Sequence, residues 1–195
     1  MKEEYKVFNI LDMAEAIGEP NLKKLISDFR CPKNEEIQHF ARDNAYEFAK
    51  KKISVTYLVV DKEDYIAAIF TLAHKAIEIG DGKLSNSKRR KINRYAVLDS
   101  VSGNYTVSAF LIAQFGKNYA EDVSTKISGN HLMDLTFAVL EKIQHDIGGG
   151  VVFLECEDKP ELLKFYQNEE NGFTAFGERY SISDDTKYIQ LFQFF

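Results

Sequence analysis

The segment at residues 125–173, "TKISGNHLMDLTFAVLEKIQHDIGGGVVFLECEDKPELLKFYQNEENGF", decides the fold, because helical and strand patterns alternate along it. Its first part has the i, i+3, i+4 apolar spacing of an amphipathic helix, and the glycines at 148–150 end that helix because glycine tolerates positive φ. "VVFLEC" then predicts a buried strand, and "KPELLKFYQNEE" predicts a second helix with proline near its first turn. The core face of the first helix comprises Leu132, Leu135, Thr136, Val139, Leu140 and Ile143.

Strand patterns dominate much of the remaining chain. "YKVFNI" alternates like a short strand, and "ISVTYLVVD" and "DYIAAIFTLAHKAIEI" predict neighbouring antiparallel strands joined at Lys62 and Glu63. "YTVSAFLIAQF" predicts a central strand buried on both faces, and "FTAFGERYSI" with "YIQLFQFF" predicts a terminal hairpin that turns at Asp184 and Asp185. These patterns place the protein in the α/β or α+β class, with a mixed sheet.

Two helices are predicted near the N-terminus. "NLKKLISDF" follows Pro20 with helical spacing, and a longer helix begins after Asn34, which is a good cap residue. Acidic residues in the first turn and lysines in the last turn of the longer helix suit the helix dipole. The apolar stripe of this helix comprises Ile37, Phe40, Ala41, Ala45 and Phe48.

Length and composition indicate one globular domain spanning residues 1–195. A net charge of -5 gives no general attraction to nucleic acid or to anionic membranes. Two cysteines, no charged-then-apolar leader and no long apolar run favour a cytoplasmic protein with reduced thiols and no membrane partner. No metal site is predicted, because the four histidines lie on separate segments.

A polar and basic segment at about 80–99, "GDGKLSNSKRRKINRYAVLD", interrupts the strand pattern. We interpret it as an excursion outside the core, with a helical turn after Ser87. Its dense positive run has two interpretations, a solvated surface or a contact with an RNA backbone. The residues that would make the RNA contact are Lys88, Arg89, Arg90 and Arg94.

Gly129 lies where the helix of the deciding segment begins. A helix start has unpaired backbone N–H groups and the positive end of the helix dipole, so it can hold phosphate oxygens where the chain allows close approach. Gly129 would allow that approach. The alternative is that Ser128 simply caps the helix and Gly129 eases the turn.

These motifs together resemble the GNAT superfamily of N-acetyltransferases. The central motif of that family has Gln or Arg, two residues, Gly, one residue, then Gly or Ala, and here it falls on Lys126, Gly129 and His131. Lys126 and His131 depart from the usual residue types. The second mark, a tyrosine ahead of an Asn-Gly-Phe-like exit, matches Tyr166 and residues 171–173. The resemblance implies a GNAT-like, mostly antiparallel sheet flanked by helices and splayed between the fourth and fifth strands.

The resemblance also implies acetyl-CoA as co-substrate and transfer of its acetyl group to a primary amine. Tyr166 would be the general acid, and Glu155 is a candidate base through ordered water. Cys156, on the same strand, is interpreted as a buried, inert thiol. The implied cofactor-binding residues are Ala113, Gln114, Phe115, Lys126, Ile127, Ser128, Gly129, Asn130 and His131.

Three functions stay open from the sequence. The first is acetylation of a small-molecule, peptide or protein amine. The second follows from a weaker resemblance to acetyltransferase toxins that modify aminoacyl-tRNA, carried by an early "C…NEEIQHF…A"-like helix. The third is a non-catalytic acyl-CoA-binding or sensor domain. The oligomeric state is open as well.

Overall fold

The computed structural model describes residues 5–121, 123 and 126–195 and contains seven strands flanked by helices. The strands are β1 (Tyr5–Asn9), β2 (Val55–Asp61), β3 (Ile66–Gly80), β4 (Asn104–Lys117), β5 (Val151–Glu157), β6 (Thr174–Ser181) and β7 (Thr186–Phe194). The α-helices are α1 (Ile10–Ile17), α2 (Glu19–Ser27), α3 (Glu35–His39), α4 (Ala45–Lys50), α5 (Asn86–Ile92), α6 (Gly129–Ile147) and α7 (Pro160–Tyr166).

One sheet contains all seven strands, in the order β1-β2-β3-β4-β5-β7-β6. The β1–β2, β2–β3, β5–β7 and β6–β7 pairs are antiparallel, whereas β4 and β5 are parallel. The parallel ladder joins Phe110 to Val152 and Leu111 to Phe153, so it covers two positions of each strand. Strands that splay apart give a short ladder of this kind. The predicted fold class, a mixed and mostly antiparallel sheet flanked by helices, is confirmed.

Residue contacts divide the chain into two compact units. The first consists of Met1–Ala73 and Ile112–Phe137, and the second consists of His74–Leu111 and Ala138–Phe195. The single domain over residues 1–195 stays a prediction.

In the first unit, helices α1 to α4 pack on β2 and β3 around a shared apolar core. Asn34 caps α3 as predicted, because its Oδ1 accepts the N–H of Ile37 at 3.1 Å. The long helix predicted after Asn34 is divided, since a π-helical turn at Phe40–Asn44 separates α3 from α4. That turn inserts an extra residue into the helical repeat. The fully buried small residues of this region are Ala41, Ala45 and Ala49.

The second unit has its own core, made by β3, β4, β5, β6 and β7 together with the segment at 80–99. Leu84 and Ile92 of that segment are buried in this core, so the interpretation of the segment as lying outside the core is wrong. Two buried apolar residues among many polar and basic ones form no periodic pattern, so the sequence does not predict their burial. Burial of β4 on both faces is also wrong, because Thr106 and Ser108 are exposed while Val107 is buried.

The deciding segment forms the predicted elements. In α6, Leu132, Thr136 and Leu140 are completely buried, which confirms the predicted core face. The helix ends at Ile147, and Gly148 follows with a φ of 77°. The second predicted helix ends at Tyr166, and the hairpin β6–β7 turns where Asp184 and Asp185 were predicted. Among the described residues, no helix is both long and apolar enough to cross a membrane.

Candidate active site

Helix α6 begins at Gly129, and Ser128 is its N-terminal cap. The Oγ of Ser128 accepts the backbone N–H of His131 at 3.1 Å, and its carbonyl oxygen accepts the N–H of Leu132 at 3.1 Å. A cap of this kind satisfies one of the N–H groups that a helix start leaves unpaired. The His131 N–H is therefore already bound within the first turn of the helix.

The imidazole of His131 packs against Tyr5 of β1. The two ring centroids are 5.1 Å apart and the rings meet edge to face, at an interplanar angle of 79°. Tyr5 itself is buried, so this contact gives the imidazole a definite position. The motif position that usually holds a small residue therefore holds a ring that packs on the neighbouring strand.

Asn118 fixes the chain immediately after β4. Its Oδ1 accepts the N–H of Arg30 at 2.8 Å and the N–H of Ala120 at 3.0 Å, and its Nδ2 donates to the carbonyl oxygen of Ile66 at 2.7 Å. The side chain is buried, where an unsatisfied amide would be costly. Asn118 therefore positions the end of β4. The sequence pattern does not predict this role, and the one indication of it is that an asparagine directly follows an apolar strand.

The predicted cofactor residues all lie in the first unit. Residues 113–115 belong to β4, beyond Leu111, which is the last position that pairs with β5. Ala113 is exposed, and the two residues after it are partly exposed. In the approach to α6, Lys126 and Ser128 are exposed and Ile127 is buried. The structure thus places an accessible strand end and an accessible helix start within one unit.

Tyr166, the predicted general acid, is the last residue of α7 in the second unit. Its side chain is 8% exposed and packs edge to face against Phe165 and Phe173. Burial raises the pKa of the Tyr166 phenol well above its usual range, and the neighbouring Cys156 adds to the rise. The phenol is therefore protonated at neutral pH, and burial also makes it a weaker acid than an exposed tyrosine.

The residues after Tyr166 close the C-terminal end of α7. The side-chain amide of Asn171 donates to the carbonyl oxygen of Phe165 at 2.7 Å, and the N–H of Phe173 donates to the carbonyl oxygen of Tyr166 at 3.0 Å. Gly172 between them has a φ of 63°, a conformation that glycine adopts at little cost. The Asn-Gly-Phe motif therefore has a local structural reason, since it binds helix carbonyls that would otherwise lack partners.

Glu155, the candidate base, is bound through both carboxylate oxygens. Arg179 contacts Oε2 through Nε at 2.9 Å and Nη2 at 2.8 Å, and Gln190 donates to Oε1 at 2.7 Å. Gln190 is the residue opposite Glu155 on β7. This arrangement joins β5 to the β6–β7 hairpin, which favours a structural role for the carboxylate.

Cys156 does not have the properties of a nucleophile. Its side chain is buried, and burial raises the pKa of the thiol to about 11, with further rises from Asp158 and Glu157. A thiol needs its thiolate form to attack. The buried and inert thiol inferred from sequence agrees with this environment. Across residues 5–121, 123 and 126–195, no group of three or more His, Cys, Asp or Glu side chains could hold a metal ion.

The four basic residues considered for RNA binding differ in their surroundings. Arg89 forms an ion pair with Asp81, with Nε 2.8 Å from Oδ1, and Lys88 donates to the hydroxyl of Thr174 at 2.5 Å. Arg90 and Arg94 are exposed. Only the last two present their charge fully to solvent.

Several solved structures share this fold. AtaT complexed with acetyl-methionyl-tRNAfMet has a TM-score of 0.64 at 14% identity, over 97% of this chain and 94% of that chain. AtaTR bound with AcCoA has a TM-score of 0.56 at 12% identity, over 95% and 92%. The NatC complex bound to Gag peptide and CoA has a TM-score of 0.50 at 15% identity, over 98% and 97%.

At identities of 12–15%, the likeness to these structures concerns the fold alone. The chain has a GNAT-like fold, and two of these similar structures were solved with AcCoA or with CoA. No protein-family model matches the sequence. No curated protein matches it either.

Proposed function

We propose that this protein is an acetyl-CoA-dependent N-acetyltransferase. Its acceptor would be a primary amine of a small molecule, a peptide or a protein, which attacks directly within a ternary complex. Acetyl-CoA, the co-substrate, supplies an acetyl group activated as a thioester. The proposal is supported by the GNAT-like fold and by similar structures bound with AcCoA or with CoA and a peptide.

The short β4–β5 ladder is the observation that carries this proposal. Because pairing with β5 ends at Leu111, the main chain of residues 113–115 is the part of β4 where an extended, amide-bearing arm could pair like an added strand. The start of α6 would then receive the pyrophosphate through the N–H groups of Ile127, Gly129 and Asn130. Lys126 would add a positive charge, while Ser128 and His131 keep the first turn of the helix in place.

Tyr166 would act as general acid. The phenol holds its proton at neutral pH, and protonation of the departing sulfur is the step that needs a donor. The amine would lose its proton through ordered water, because Glu155 is bound by Arg179 and Gln190.

A thermal shift tests cofactor binding. A ligand that binds only the native state at a hundredfold excess over its dissociation constant stabilises by about 2.7 kcal/mol, which is a rise of roughly 5–10 °C in Tm for a chain of this size. A Gly129→Val variant should lose the shift with acetyl-CoA, because a branched side chain at the helix start blocks close approach of phosphate. Gly82→Ala is the matched control, since a Cβ there would meet nothing within 4 Å. No shift of the unaltered protein at millimolar acetyl-CoA would overturn the proposal.

A second candidate is acetylation of aminoacyl-tRNA. The structure of AtaT complexed with acetyl-methionyl-tRNAfMet has the fold of this chain at a TM-score of 0.64, and Arg90 and Arg94 are exposed. An Arg90→Gln/Arg94→Gln variant should then weaken RNA binding and reduce its dependence on salt. An acceptor screen with amines, peptides and charged tRNA separates the two candidates. Tight acetyl-CoA binding without turnover on any acceptor would favour the sensor function.

A further inference from the structure

A cavity in the second unit lies between α5 and the strands β6 and β7. Its volume is about 200 Å³, roughly the space of seven water molecules in the liquid. Lys88 and Lys91 of α5 form one side, and Thr174, Phe192 and Gln193 contribute to the other. No residue assigned to cofactor binding or to proton transfer lines it.

Both lysines are held over aromatic rings. The Nζ of Lys88 donates to the hydroxyl of Thr174 and lies 5.9 Å from the ring centroid of Phe192. The Nζ of Lys91 lies 5.9 Å from the ring centroid of Phe194. The ammonium groups are therefore positioned by the cavity walls.

These two positive charges have no carboxylate partner. In the part of the chain that the structure describes, every carboxylate lies beyond 4.0 Å of both ammonium groups. Arg89, on the same helix, does have such a partner, since it pairs with Asp81 at 2.8 Å. Burial lowers the pKa of the Lys88 ammonium, and the charge of Lys91 lowers it further. Lys88 is partly buried and Lys91 is exposed, so an anion that contacts both would relieve the repulsion between two neighbouring cations.

The wall opposite the lysines offers hydrogen-bonding groups and apolar surface. Gln193 lines the cavity, and its Oε1 is buried without a hydrogen-bond partner among the described residues. The amide nitrogen of the same side chain is a donor, which is the kind of group that a phosphate oxygen accepts from. The partly exposed ring of Phe194 provides the apolar surface, since Phe192 is only 1% exposed.

We propose that this cavity binds a small phosphate monoester. The lysine ammonium groups and the Thr174 hydroxyl bind the phosphate oxygens, because charge-assisted hydrogen bonds to phosphate are the strong ones. The body of the ligand lies on Phe194. A cavity of about 200 Å³ accommodates a phosphate with a body the size of one ring. This site goes beyond the proposed acetyl transfer.

A ligand in the cavity would also contact the turn that follows α7. Gly172 lines the cavity, and it lies in the turn whose next residue, Phe173, donates to the carbonyl oxygen of Tyr166 at 3.0 Å. Amide NMR signals of residues 172–174 should therefore shift on binding, together with those of Ser87 and Lys88. A ligand bound by surface charge alone would leave the buried end of this turn unaffected.

Calorimetry with phenyl phosphate tests the proposal, with phenol as the uncharged comparison and inorganic phosphate as the comparison without a ring. Phenyl phosphate should bind, phenol should not, and inorganic phosphate should bind more weakly. A Lys88→Gln/Lys91→Gln variant should weaken phenyl phosphate binding at least about tenfold, since it removes two hydrogen bonds to a charged group. Arg90→Gln/Arg94→Gln, on and just beyond the same helix, removes equal charge outside the cavity and should leave binding unchanged.

Three outcomes would overturn this inference. They are no binding of phenyl phosphate at millimolar concentration, equal weakening by the two double variants, and tighter binding of a short single-stranded RNA through the lysine pair, which would assign these residues to phosphodiesters instead. The RNA is expected to show the opposite dependence on the two variants. The thermal shift with acetyl-CoA on the same variants is independent, so failure here is distinguishable from failure of the proposed transferase function.

Discussion

The backbone N–H of Phe173 donates to the carbonyl oxygen of Tyr166 at 3.0 Å. This hydrogen bond, with the one from Asn171 to Phe165, ties the residue that would donate a proton to the residue just before β6. Gly172 permits both bonds because it adopts a φ of 63°. The position of Tyr166 therefore depends on the turn that follows it as much as on the helix that carries it.

Replacing Gly172 with alanine should impair both stability and turnover. A positive φ costs a non-glycine residue about 1–2 kcal/mol, so urea denaturation should show a loss of that size. Gly148→Ala is the matched control, since Gly148 has a φ of 77° after α6 and a Cβ there would meet nothing within 4 Å. Both variants should lose similar stability, and only Gly172→Ala should lower kcat. Equal turnover in the two variants would separate the turn from catalysis.

Removing the phenolic hydroxyl should slow acetyl transfer without weakening cofactor binding. A Tyr166→Phe variant loses the proposed proton donor, and a general acid contributes about 10²–10⁴-fold to a rate. The thermal shift with acetyl-CoA should stay as large as in the unaltered protein. Tyr180→Phe, on the exposed end of β6, is the control and should leave kcat unchanged. An unaltered rate in Tyr166→Phe would remove this residue from the mechanism.

The sequence predicts best the elements whose burial follows a local period. Helix α6 shows its core face at Leu132, Thr136 and Leu140, and the antiparallel β2–β3 pair follows from two apolar runs with a short polar break. The resemblance that implied a mostly antiparallel sheet, splayed between its fourth and fifth strands, rests on the same region, where Gly129 opens a helix and Tyr166 ends one.

Features that depend on distant residues could not be predicted. Asn118 satisfies backbone groups of Arg30 and Ile66, and His131 packs on Tyr5, which is remote in the chain. The π-helical turn at Phe40–Asn44 shifts the buried face by one residue, which no 3.6-residue period reveals. In the basic helix α5, the buried residue is Ile92. A single apolar residue gives no periodic pattern from which its burial could be predicted.

Neutralising Glu155 should affect stability more than chemistry. A Glu155→Gln variant weakens the contact with Arg179 but keeps an amide that can hydrogen-bond, and a partly exposed pair is worth about 1 kcal/mol or less. We expect a loss of that size by urea denaturation and a kcat within about twofold of the unaltered value. Glu178→Gln, which removes an exposed ion pair with Lys187, is the comparison. A hundredfold loss of kcat at neutral pH that becomes small at high pH, where the amine has already lost its proton, would restore Glu155 as the base.

Gly116 lies where β4 passes beneath α3. A Cβ at Gly116 would lie 2.7 Å from Cγ2 of Ile37, which is closer than side chains pack. Gly116→Ala should therefore destabilise the protein by about 1–3 kcal/mol, the usual cost of overpacking. Adding Ile37→Ala removes the obstructing methyl group, so the double variant should be more stable than the sum of the two single changes predicts. Strict additivity in this double-mutant cycle would show that the two residues do not contact each other.

The stability of the fold should decrease in alkaline solution because of Cys156. Burial raises the pKa of this thiol from about 9 to about 11, so the unfolded chain loses the proton at a lower pH than the native protein. The stabilisation is fully present below pH 9 and is lost as the pH rises to about 11, a difference of roughly 2–3 kcal/mol. Urea denaturation across this range should give a shallower decline for Cys156→Ala, whatever stability the smaller side chain costs at neutral pH. Burial raises the pKa of Cys31 too, so Cys31→Ala should change the slope in the same direction. Parallel curves for Cys156→Ala and the unaltered protein would mean that this thiol is not desolvated in the native state.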